Sequence, residues 1–358
     1  MTRPVRARID LPALQHNFER VRQCAPGSRV MAIVKAHAYG HGLLNVARAL
    51  PEADAFGVVS VDEAISLREA GIDRRIVLLE GLYDADETGL ASGYRVDVVI
   101  HHADQIRMLE QARPGRALQV WLKIDTGMHR LGFEPDAVPA VMERLRRCAQ
   151  VADIRYLSHF SRADEAHDDY TLRQYRLFLQ SIEGLQGERS LANSAAVLAW
   201  PDAHLEWVRP GVMLYGGSPL QHKTATELGL QAVMTLGTQL IAVTQRRQGD
   251  PVGYGAGWVC PEPMRIGIAA IGYGDGYPRH APSGTPVLVN GRRAALAGRV
   301  SMDMIGIDLR GHPEACVGDP VTLWGEGLPI DEVAAAAGTI SYELFCGVNN
   351  RVLFDYVE

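Results

Sequence analysis

Several residues able to perform acid–base or nucleophilic chemistry stand directly after short apolar runs. Lys35 follows Met31–Val34 and precedes a glycine-rich turn, so an apolar strand would deliver its amine to the edge of a core. A desolvated amine has a lowered pKa and becomes nucleophilic, which suits a lysine that forms a Schiff base. Other residues of this kind are associated with apolar runs. Arg130 lies beyond the run that ends at Ile124, His159 at the end of Ile154–Phe160, Asn193 and Ser194 at the end of Ser190–Asn193, and Arg209 within Trp207–Tyr215.

The elements that must position these residues follow a repeated pattern between about residues 29 and 216. Branched apolar runs alternate there with segments of helical periodicity, as in βα units. The runs are Val30–Lys35, Phe56–Ser60, Ile76–Glu80, Val96–Ile100, Leu118–Ile124, Ile154–Phe160, Ser190–Asn193 and Trp207–Tyr215. The helices predicted between them include Val61–Ala70 and Thr171–Leu185.

Eight such units favour a closed (β/α)8 barrel. The alternative, an open doubly wound sheet, usually has fewer strands and often carries a G-x-G-x-x-G turn after the first, which is not found after Lys35. In a barrel, residues that follow the strands meet at one face, where barrel enzymes gather their catalytic groups. We therefore expect the residues named above to lie close together.

After about Leu230 the pattern changes to strands separated by Gly, Pro and Asp turns. The predicted elements are the strands Val233–Val243, Arg265–Gly272, Thr285–Val289, Met302–Leu309 and Pro320–Leu323 and the helix Ile330–Ala337. The predicted fold class is thus α/β, with a TIM-type barrel over residues 1–229 followed by a mainly-β domain over residues 230–358.

Composition narrows the possible partners and location. The 358 residues include 36 Lys and Arg against 42 Asp and Glu, so no basic field is available to bind nucleic acid, and a small molecule is expected instead. Five scattered cysteines indicate neither a disulfide framework nor a zinc site. The His101-His102 pair lacks metal-ligand spacing, so no metal is expected. A polar amino terminus and the lack of a long apolar run predict a cytoplasmic protein without a membrane span.

The segment Val34–Gly42, Val-Lys-Ala-His-Ala-Tyr-Gly-His-Gly, resembles the pyridoxal-phosphate attachment segment of alanine racemases. Other segments resemble signatures of that family in its order: Lys123–Gly132, Ser158–Phe160, Asn193–Ala196, Arg209–Gly216, Pro251–Gly255, Gly272–Arg279, Gly298–Asp303 and Ile340–Glu343. Together they span nearly the whole chain. Members of the family have a barrel followed by a β domain, in agreement with the pattern above. His37 departs from the asparagine or aspartate of many members, and we expect this to be tolerated.

The resemblance implies a pyridoxal 5'-phosphate enzyme that interconverts L-alanine and D-alanine with two bases. Lys35 would bind the cofactor as a Schiff base and act on the D face of the substrate. Tyr254 would act on the L face and come from the partner subunit of a head-to-tail homodimer with shared sites. A phenol has an unperturbed pKa near ~10, so neighbours must stabilise its phenolate. His159 and Arg209 are the candidates for that role.

The resemblance also assigns the residues that would hold the cofactor. Arg209 would contact the pyridine nitrogen, and because a guanidinium can only donate, it would leave that nitrogen unprotonated and limit transamination. The phosphate needs backbone donors and hydroxyls, which barrels supply from their last loops. The full set of implied cofactor contacts is Lys35, Tyr39, His159, Asn193, Ser194, Arg209, Gly211, Val212 and Tyr342.

Further residues are implied to act on the substrate. Arg130 would orient the catalytic tyrosine and approach the substrate carboxylate as a bidentate donor. Met302 would contact the substrate from the second subunit. Lys123 occupies a position that is often carbamylated and pairs with Arg130. The implied access channel contains Asp164, Tyr273, Arg279 and Arg299.

Three other functions remain open from the sequence. A racemase of broader specificity is the nearest, although a small pocket made by Tyr254, Tyr342 and Met302 would favour a methyl side chain. A non-catalytic pyridoxal-phosphate carrier is disfavoured by the β domain, since the related carriers are the barrel alone. A decarboxylase of similar architecture is disfavoured by the racemase-type segments. The physiological direction, supply of D-alanine for cell-wall precursors or its degradation, also stays open.

Overall fold

The chain starts with a strand, β1 (Arg6–Asp10), and a helix, α1 (Leu11–Cys24), ahead of a closed barrel of eight parallel strands. The structure is a computed structural model that describes residues 3–113, 115–165 and 169–358. The barrel strands are β2 (Arg29–Ile33), β3 (Ala55–Val58), β4 (Arg75–Leu78), β5 (Val96–Ile100), β6 (Leu118–Lys123), β7 (Val151–Leu157), β8 (Arg189–Asn193) and β9 (Trp207–Arg209). Pairing of β2 with β9 closes the ring, which confirms the predicted barrel.

The barrel helices lie between these strands, as the alternating pattern predicts. They are α2 (Leu43–Ala49), α3 (Val61–Glu69), α4 (Asp86–Gly93), α5 (Ala103–Gln111), α6 (Val138–Arg147), α7 (Asp169–Ser181) and α8 (Ser194–Ala199). Local chemistry sets their starts: the Ser60 hydroxyl accepts from the backbone N–H of Glu63 at 3.2 Å at the start of α3. In α6, Val138, Val141, Met142 and Leu145 form the buried stripe.

The eighth barrel strand is shorter than predicted. The prediction of a strand over Trp207–Tyr215 is wrong beyond Arg209, because Val212–Tyr215 forms a 3-10 turn. Pro210 has no N–H to continue a ladder, and Leu214 donates instead to Gly211 at 2.8 Å. Short apolar runs are buried in either conformation, so their pattern alone does not distinguish the two.

The carboxy-terminal half is mainly antiparallel sheet, as predicted. Its strands are β10 (Met234–Arg246), β11 (Pro251–Val252), β12 (Trp258–Val259), β13 (Met264–Ala269), β14 (Pro286–Val289), β15 (Arg292–Leu296), β16 (Ile305–Asp308), β17 (Pro320–Trp324) and β18 (Leu353–Val357). Two helices follow β17, α9 (Ile330–Ala337) and α10 (Ser341–Gly347). The predicted strand Met302–Leu309 is wrong at its start, since β16 begins at Ile305 and leaves Met302 in a loop.

The main sheet of this half takes in the first strand of the chain. Its order is β13-β16-β15-β14-β17-β10-β1-β18, and a further pairing of β10 with β13 makes a ring of the first six strands. β1 lies antiparallel to β10 and parallel to β18. The sequence did not predict this position for residues 6–10. Within the described ranges, no helix combines the length and the apolar composition that a membrane span requires.

Glu188, next to β8, ties three barrel strands together. Its carboxylate accepts from Arg155 Nε of β7 at 2.7 Å, from Trp207 Nε1 of β9 at 2.9 Å, and from Arg29 of β2. Burial alone would raise the pKa of this carboxyl. The hydrogen bonds from Arg155, Trp207 and Arg29 outweigh it and lower the pKa of Glu188 to about 2. The ionised carboxylate therefore stabilises the closure of the barrel.

We expect Glu188→Gln to lower the free energy of unfolding by about 1–3 kcal/mol at neutral pH, because hydrogen bonds to a charged acceptor are lost. The folded pKa lies below the unfolded value of about 4.3, so this contribution is present above that value and is lost as pH falls toward 2. Urea unfolding at pH 7 and pH 3.5 measures the difference between variant and parent. Glu183→Gln, at an exposed site, is the control. A difference of equal size at both pH values would contradict the assignment.

Candidate active site

Lys35 begins a turn of left-handed helix directly after β2. The φ angles of Ala36, His37, Ala38 and Tyr39 lie between 52° and 55°. Hydrogen bonds from Ala38 N to Val34 O (2.8 Å) and from Gly40 N to Ala36 O (3.0 Å) close the turn. This conformation costs roughly 1–2 kcal/mol for each residue other than glycine, so the surrounding structure must hold it. The predicted strand Val30–Lys35 is two residues too long, because β2 ends at Ile33.

His41 is the main support of the left-handed turn. Its buried ring lies 4.5 Å from the Tyr215 ring in a stacked contact, and Nδ1 lies 3.1 Å and 2.9 Å from the carbonyl oxygens of Ala38 and Tyr39. Burial lowers the pKa of His41 to about 4, so the ring is neutral and Nδ1 carries the proton that it donates. These hydrogen bonds fix the orientation of the His41 ring, and through them the ring stabilises the turn.

The carboxy-terminal half supports the same turn from the other side. Gly40 has φ +78°, and a Cβ there would lie 2.4 Å from the carbonyl oxygen of Phe345 in α10, so only glycine fits. The Tyr356 hydroxyl of β18 lies against Gly42. His37, with φ 55°, is of a residue type that enters this conformation more readily than most, as asparagine and aspartate do. A histidine is therefore compatible with the backbone conformation at that position.

Four cationic side chains gather around His159 at the mouth of the barrel. Burial lowers the pKa of Lys123 to about 8, and the positive charges of Arg209, Arg130 and Lys35 add to the effect, although Glu80 opposes it. Burial followed by the same four cations lowers the pKa of His159 well below its usual value, so its ring is neutral at pH 7. Lys123, Arg130 and His159 line one small cleft. A site with this charge favours anionic ligands.

Arg209 is the most constrained of these cations. Its NH1 donates to Ser190 Oγ at 2.6 Å, and its NH2 donates to the carbonyls of Ser158 at 2.6 Å and Leu191 at 3.3 Å. The same NH2 lies 3.4 Å from His159 Nδ1. Burial lowers the pKa of Arg209 to about 10, which leaves the guanidinium charged at neutral pH. Its position and orientation are fixed before any ligand binds.

Hydroxyl and backbone groups form a second cluster beside the left-handed turn. Ser194 Oγ accepts from Gly211 N at 2.7 Å, and a Cβ on Gly211 would lie 2.5 Å from the Tyr39 hydroxyl. The rings of Tyr39 and Tyr342 lie 6.0 Å apart. Burial, and then Tyr342 and Cys346, raise the pKa of Tyr39, so its hydroxyl stays a donor. Asn193, the last residue of β8, caps the start of α8, since its side chain accepts from Ala196 N at 3.1 Å.

The remaining predicted site residues lie apart from the barrel mouth. Tyr254 is 70% exposed and Met302 is 52% exposed. Both stand on loops of the carboxy-terminal half, as do the exposed Tyr273, Arg279 and Arg299. Among the described residues, no hydrogen bond, ion pair or ring contact joins these five to Lys35, Lys123 or Arg209. One chain therefore brings together only part of the predicted site.

Asp164 lies closer to the barrel residues, since its charge acts on Tyr342 and its Oδ2 accepts from Gln221 Nε2 at 2.8 Å. Burial, then Asp164 and Asp331, raise the pKa of Tyr342 to about 12. Val212 begins the 3-10 turn next to the Gly211 and Tyr39 contact.

Sequence reasoning missed the residues that support the reactive groups. His41 and Ser158 fall inside segments that carry the family resemblance, and that was the available signal. Tyr215 likewise lies inside the resembling segment Arg209–Gly216. Ser190 gave no signal beyond a polar group at the start of a predicted strand. The Tyr215 hydroxyl donates to Ile33 O at 2.9 Å, directly before the left-handed turn.

Lysine is unusually scarce in this chain. The sequence contains only Lys35, Lys123 and Lys223, while arginine supplies the other cations. Two of the three lie in the candidate site, and Lys223 is exposed on the segment between barrel and sheet. Any lysine-directed chemistry at the site can therefore be assigned with few competing groups.

Comparison with known proteins matches the whole chain. Two family models, described as alanine racemase N-terminal domain and alanine racemase C-terminal domain, match residues 9–219 and 233–356. A protein named alanine racemase from Nitrosococcus oceani is 54% identical over 348 residues, covering 96% of this chain and 97% of its own length. One of the same name from Vibrio cholerae is 51% identical over 353 residues, covering 98% and 97%. The crystal structure of biosynthetic alanine racemase from Pseudomonas aeruginosa has a TM-score of 0.98 at 50% identity, with both chains fully covered.

Proposed function

The chain belongs to the alanine racemase family and is an isomerase, and from this premise we propose that it interconverts L-alanine and D-alanine by a two-base mechanism with pyridoxal 5'-phosphate. The observation that carries the proposal is Lys35, which a strained turn presents beside three further cations, Lys123, Arg130 and Arg209. Relatives matched over both domains leave no support for the barrel-only carrier or the decarboxylase.

The residues of the barrel mouth fit the proposed cofactor. The Tyr39 hydroxyl, Ser194 hydroxyl and Gly211 backbone form a cradle that a Cβ at position 211 would fill, and we assign the phosphate to it with Val212, Asn193 and Tyr342 alongside. Phosphate needs such donors, and the charge of Arg209 adds to the attraction. When bound, pyridoxal phosphate supplies an electron sink that acidifies the α-proton of the substrate.

Arg209 would meet the ring nitrogen of the cofactor. Its guanidinium is fixed by Ser190, Ser158 and Leu191 and remains charged at neutral pH, so it can donate a hydrogen bond but cannot accept one. A donor of this kind leaves the ring nitrogen unprotonated, which moderates the sink and disfavours transamination. The neutral ring of His159 next to Arg209 avoids adding a further charge.

Two groups would move the α-proton, one on each face of the substrate. We assign Lys35 Nζ to the D face and the phenolic oxygen of Tyr254 to the L face. The separation of Tyr254 from Lys35 within one chain supports a head-to-tail homodimer, in which the exposed Tyr254 of one protomer enters the barrel mouth of its partner. The positive charge of Arg130 and Arg209 would there stabilise a phenolate.

The same assembly would complete the substrate site. Arg130 is an exposed, planar donor suited to the substrate carboxylate and to orienting Tyr254. Met302 from the partner and Tyr342 would limit the side chain to a methyl group, so we propose alanine as the substrate over larger amino acids. Asp164, with the partner's Tyr273, Arg279 and Arg299, would line the access channel. The likeness to an enzyme described as biosynthetic supports supply of D-alanine, a cell-wall precursor, as the role.

Lys123 is suited to carry a carbamate. With a pKa of about 8, on the order of a tenth of its amines are neutral at pH 7, and a neutral amine adds CO2 to give a carbamate anion and a proton. The new anion would pair with Arg130 and offset the excess positive charge around His159. We propose this modification as part of the substrate-binding arrangement.

Borohydride reduction of the cofactor-loaded protein should attach the label to Lys35 alone. The Lys35→Ala variant should lose the visible absorbance and at least about 10³-fold in racemisation rate, because both attachment and one base are removed. Lys223→Ala is the matched control and should keep both. Peptide mapping of the reduced protein decides the assignment, and label on Lys123 or Lys223 would contradict it.

Tyr254→Phe should retain the cofactor absorbance but lose most of its racemisation. We expect α-proton exchange in deuterated water to persist chiefly with D-alanine, because Lys35 still serves that face. Proton NMR of each enantiomer measures the exchange, and Tyr94→Phe, remote from the site, is the control. Equal residual exchange from both enantiomers would rule out the two-base assignment.

The carbamate can be detected directly. Protein incubated with ¹³C-bicarbonate should show one bound carbonyl resonance, whose intensity rises with pH as the Lys123 amine loses its proton near pH 8. The resonance should be absent from Lys123→Ala and present in Lys223→Ala. A spectrum without bound label in the parent protein would refute the modification.

A further inference from the structure

A cluster of four charged side chains joins both ends of the chain to the loop that carries Tyr273. The fully buried Asp275 has its Oδ1 2.6 Å from NH1 of Arg3 and 3.3 Å from Nε of Arg351. Arg351 also pairs with Asp303, and Arg3 NH2 donates to the backbone carbonyl of Asp303 at 3.1 Å. We refer to Arg3, Asp275, Asp303 and Arg351 as the terminal clamp.

The terminal clamp is balanced in charge, and its buried carboxylate is fully bonded. The second oxygen of Asp275 accepts from Arg3 NH2 at 2.9 Å and from the Gly272 N–H at 3.0 Å. A buried carboxylate of this kind is costly unless each oxygen is paired. The side chains of Arg3 and Arg351 are 36% and 39% exposed, so either can be replaced without opening the core.

The clamp acts on two loops that hold each other through their backbones. Tyr273 N donates to Ser301 O at 3.0 Å, and Gly274 N donates to Met302 O at 2.9 Å. The Arg351 guanidinium packs directly on Gly274, where a Cβ would lie 2.2 Å from NH1. Arg351 therefore fixes the backbone of residues 272–276 and, through it, the backbone at Met302.

We infer that Arg351 is a positioning residue for the active site of the partner subunit. Together with Arg3 and Asp275, it holds Tyr273 and Met302 in the arrangement that the other protomer's barrel requires. This inference rests on the proposed function, in which these two side chains complete the site of the partner. The plainer alternative is a clamp that only stabilises the carboxy-terminal half.

The Arg351→Met variant distinguishes the positioning role from a purely stabilising one. If the clamp positions Met302 and Tyr273, the KM for alanine rises by about tenfold, since misplacement of about 1 Å at a site can cost as much as 10²-fold. The KM of Arg351→Lys should lie between those of Arg351→Met and the parent protein, because an ammonium can pair with only one carboxylate at a time. Arg293→Met removes a comparable ion pair, with Glu332, that touches neither loop, and it should keep the parent KM. An unchanged KM in Arg351→Met overturns the inference.

Hybrid dimers test whether Arg351 acts across subunits. Arg351→Met and Lys35→Ala chains with different affinity tags are co-expressed, and the dimer that carries both tags is purified. Its one barrel with Lys35 would receive Met302 and Tyr273 from the chain that keeps Arg351. The KM should then return to the parent value. Retention of the raised KM in the hybrid would place the effect within one chain and overturn the inference.

A second hybrid distinguishes this inference from the proposed function. Tyr254→Phe paired with Lys35→Ala should regain racemisation if sites are shared. If the Tyr254→Phe hybrid does not racemise alanine, the shared site is wrong and the inference fails with it. If that hybrid is active but the Arg351→Met hybrid keeps its raised KM, only the inference is wrong. Should Arg351→Met not fold, as circular dichroism would report, Arg351→Lys carries the same measurements with a smaller shift in KM.

Discussion

The position of Lys35 depends on a backbone conformation that its own residues disfavour. A turn of left-handed helix made without glycine persists only where packing over-determines it. Here the packing comes from both halves of the chain: His41 and Tyr215 from the barrel side, Phe345 and Tyr356 from the carboxy-terminal side. The Lys35 amine is thus placed by contacts that exist only when barrel and sheet are joined, so both halves of the chain fix its position.

The second constraint is unbalanced charge at the barrel mouth. Lys123, Arg130, Arg209 and Lys35 surround a neutral imidazole, and Arg209 is held by neutral acceptors, a hydroxyl and two backbone carbonyls. Neutral acceptors fix the guanidinium without cancelling its charge. The site therefore keeps its attraction for anions, and the phosphate, the substrate carboxylate and the carbamate proposed above would each be stabilised by this excess of positive charge.

The sequence predicted the architecture more accurately than it predicted the local geometry. Branched runs at regular spacing are strong evidence for barrel strands, so β2 to β9 were found in the right order. The eighth was extended too far because Pro210 and the 3-10 turn lie inside an apolar run. The strand β15, Arg-Arg-Ala-Ala-Leu, carries no alternation and was missed. The left-handed turn could not be foreseen, because Lys-Ala-His-Ala-Tyr favours ordinary helix and only tertiary contacts oppose it.

The candidate site likewise has residues that the sequence could reveal and residues that it could not. Resemblance supplied the proposed reactive residues because they lie in contiguous segments. The groups that hold them were hidden: backbone carbonyls around Arg209 carry no residue signature, and Arg3, Asp275 and Arg351 meet across almost the full length of the chain. Long-range pairing of this kind is invisible in a single sequence.

The place of β1 between β10 and β18 has a consequence for how the molecule is made. The barrel strands pair with neighbours in order, so they can associate while synthesis is still under way. Arg6 lies opposite Leu353, however, and one edge of β1 stays unpaired until residues 353–357 have been synthesised. Completion of the sheet therefore requires synthesis of β18, and a chain released before that point would leave this edge of β1 open to aggregation.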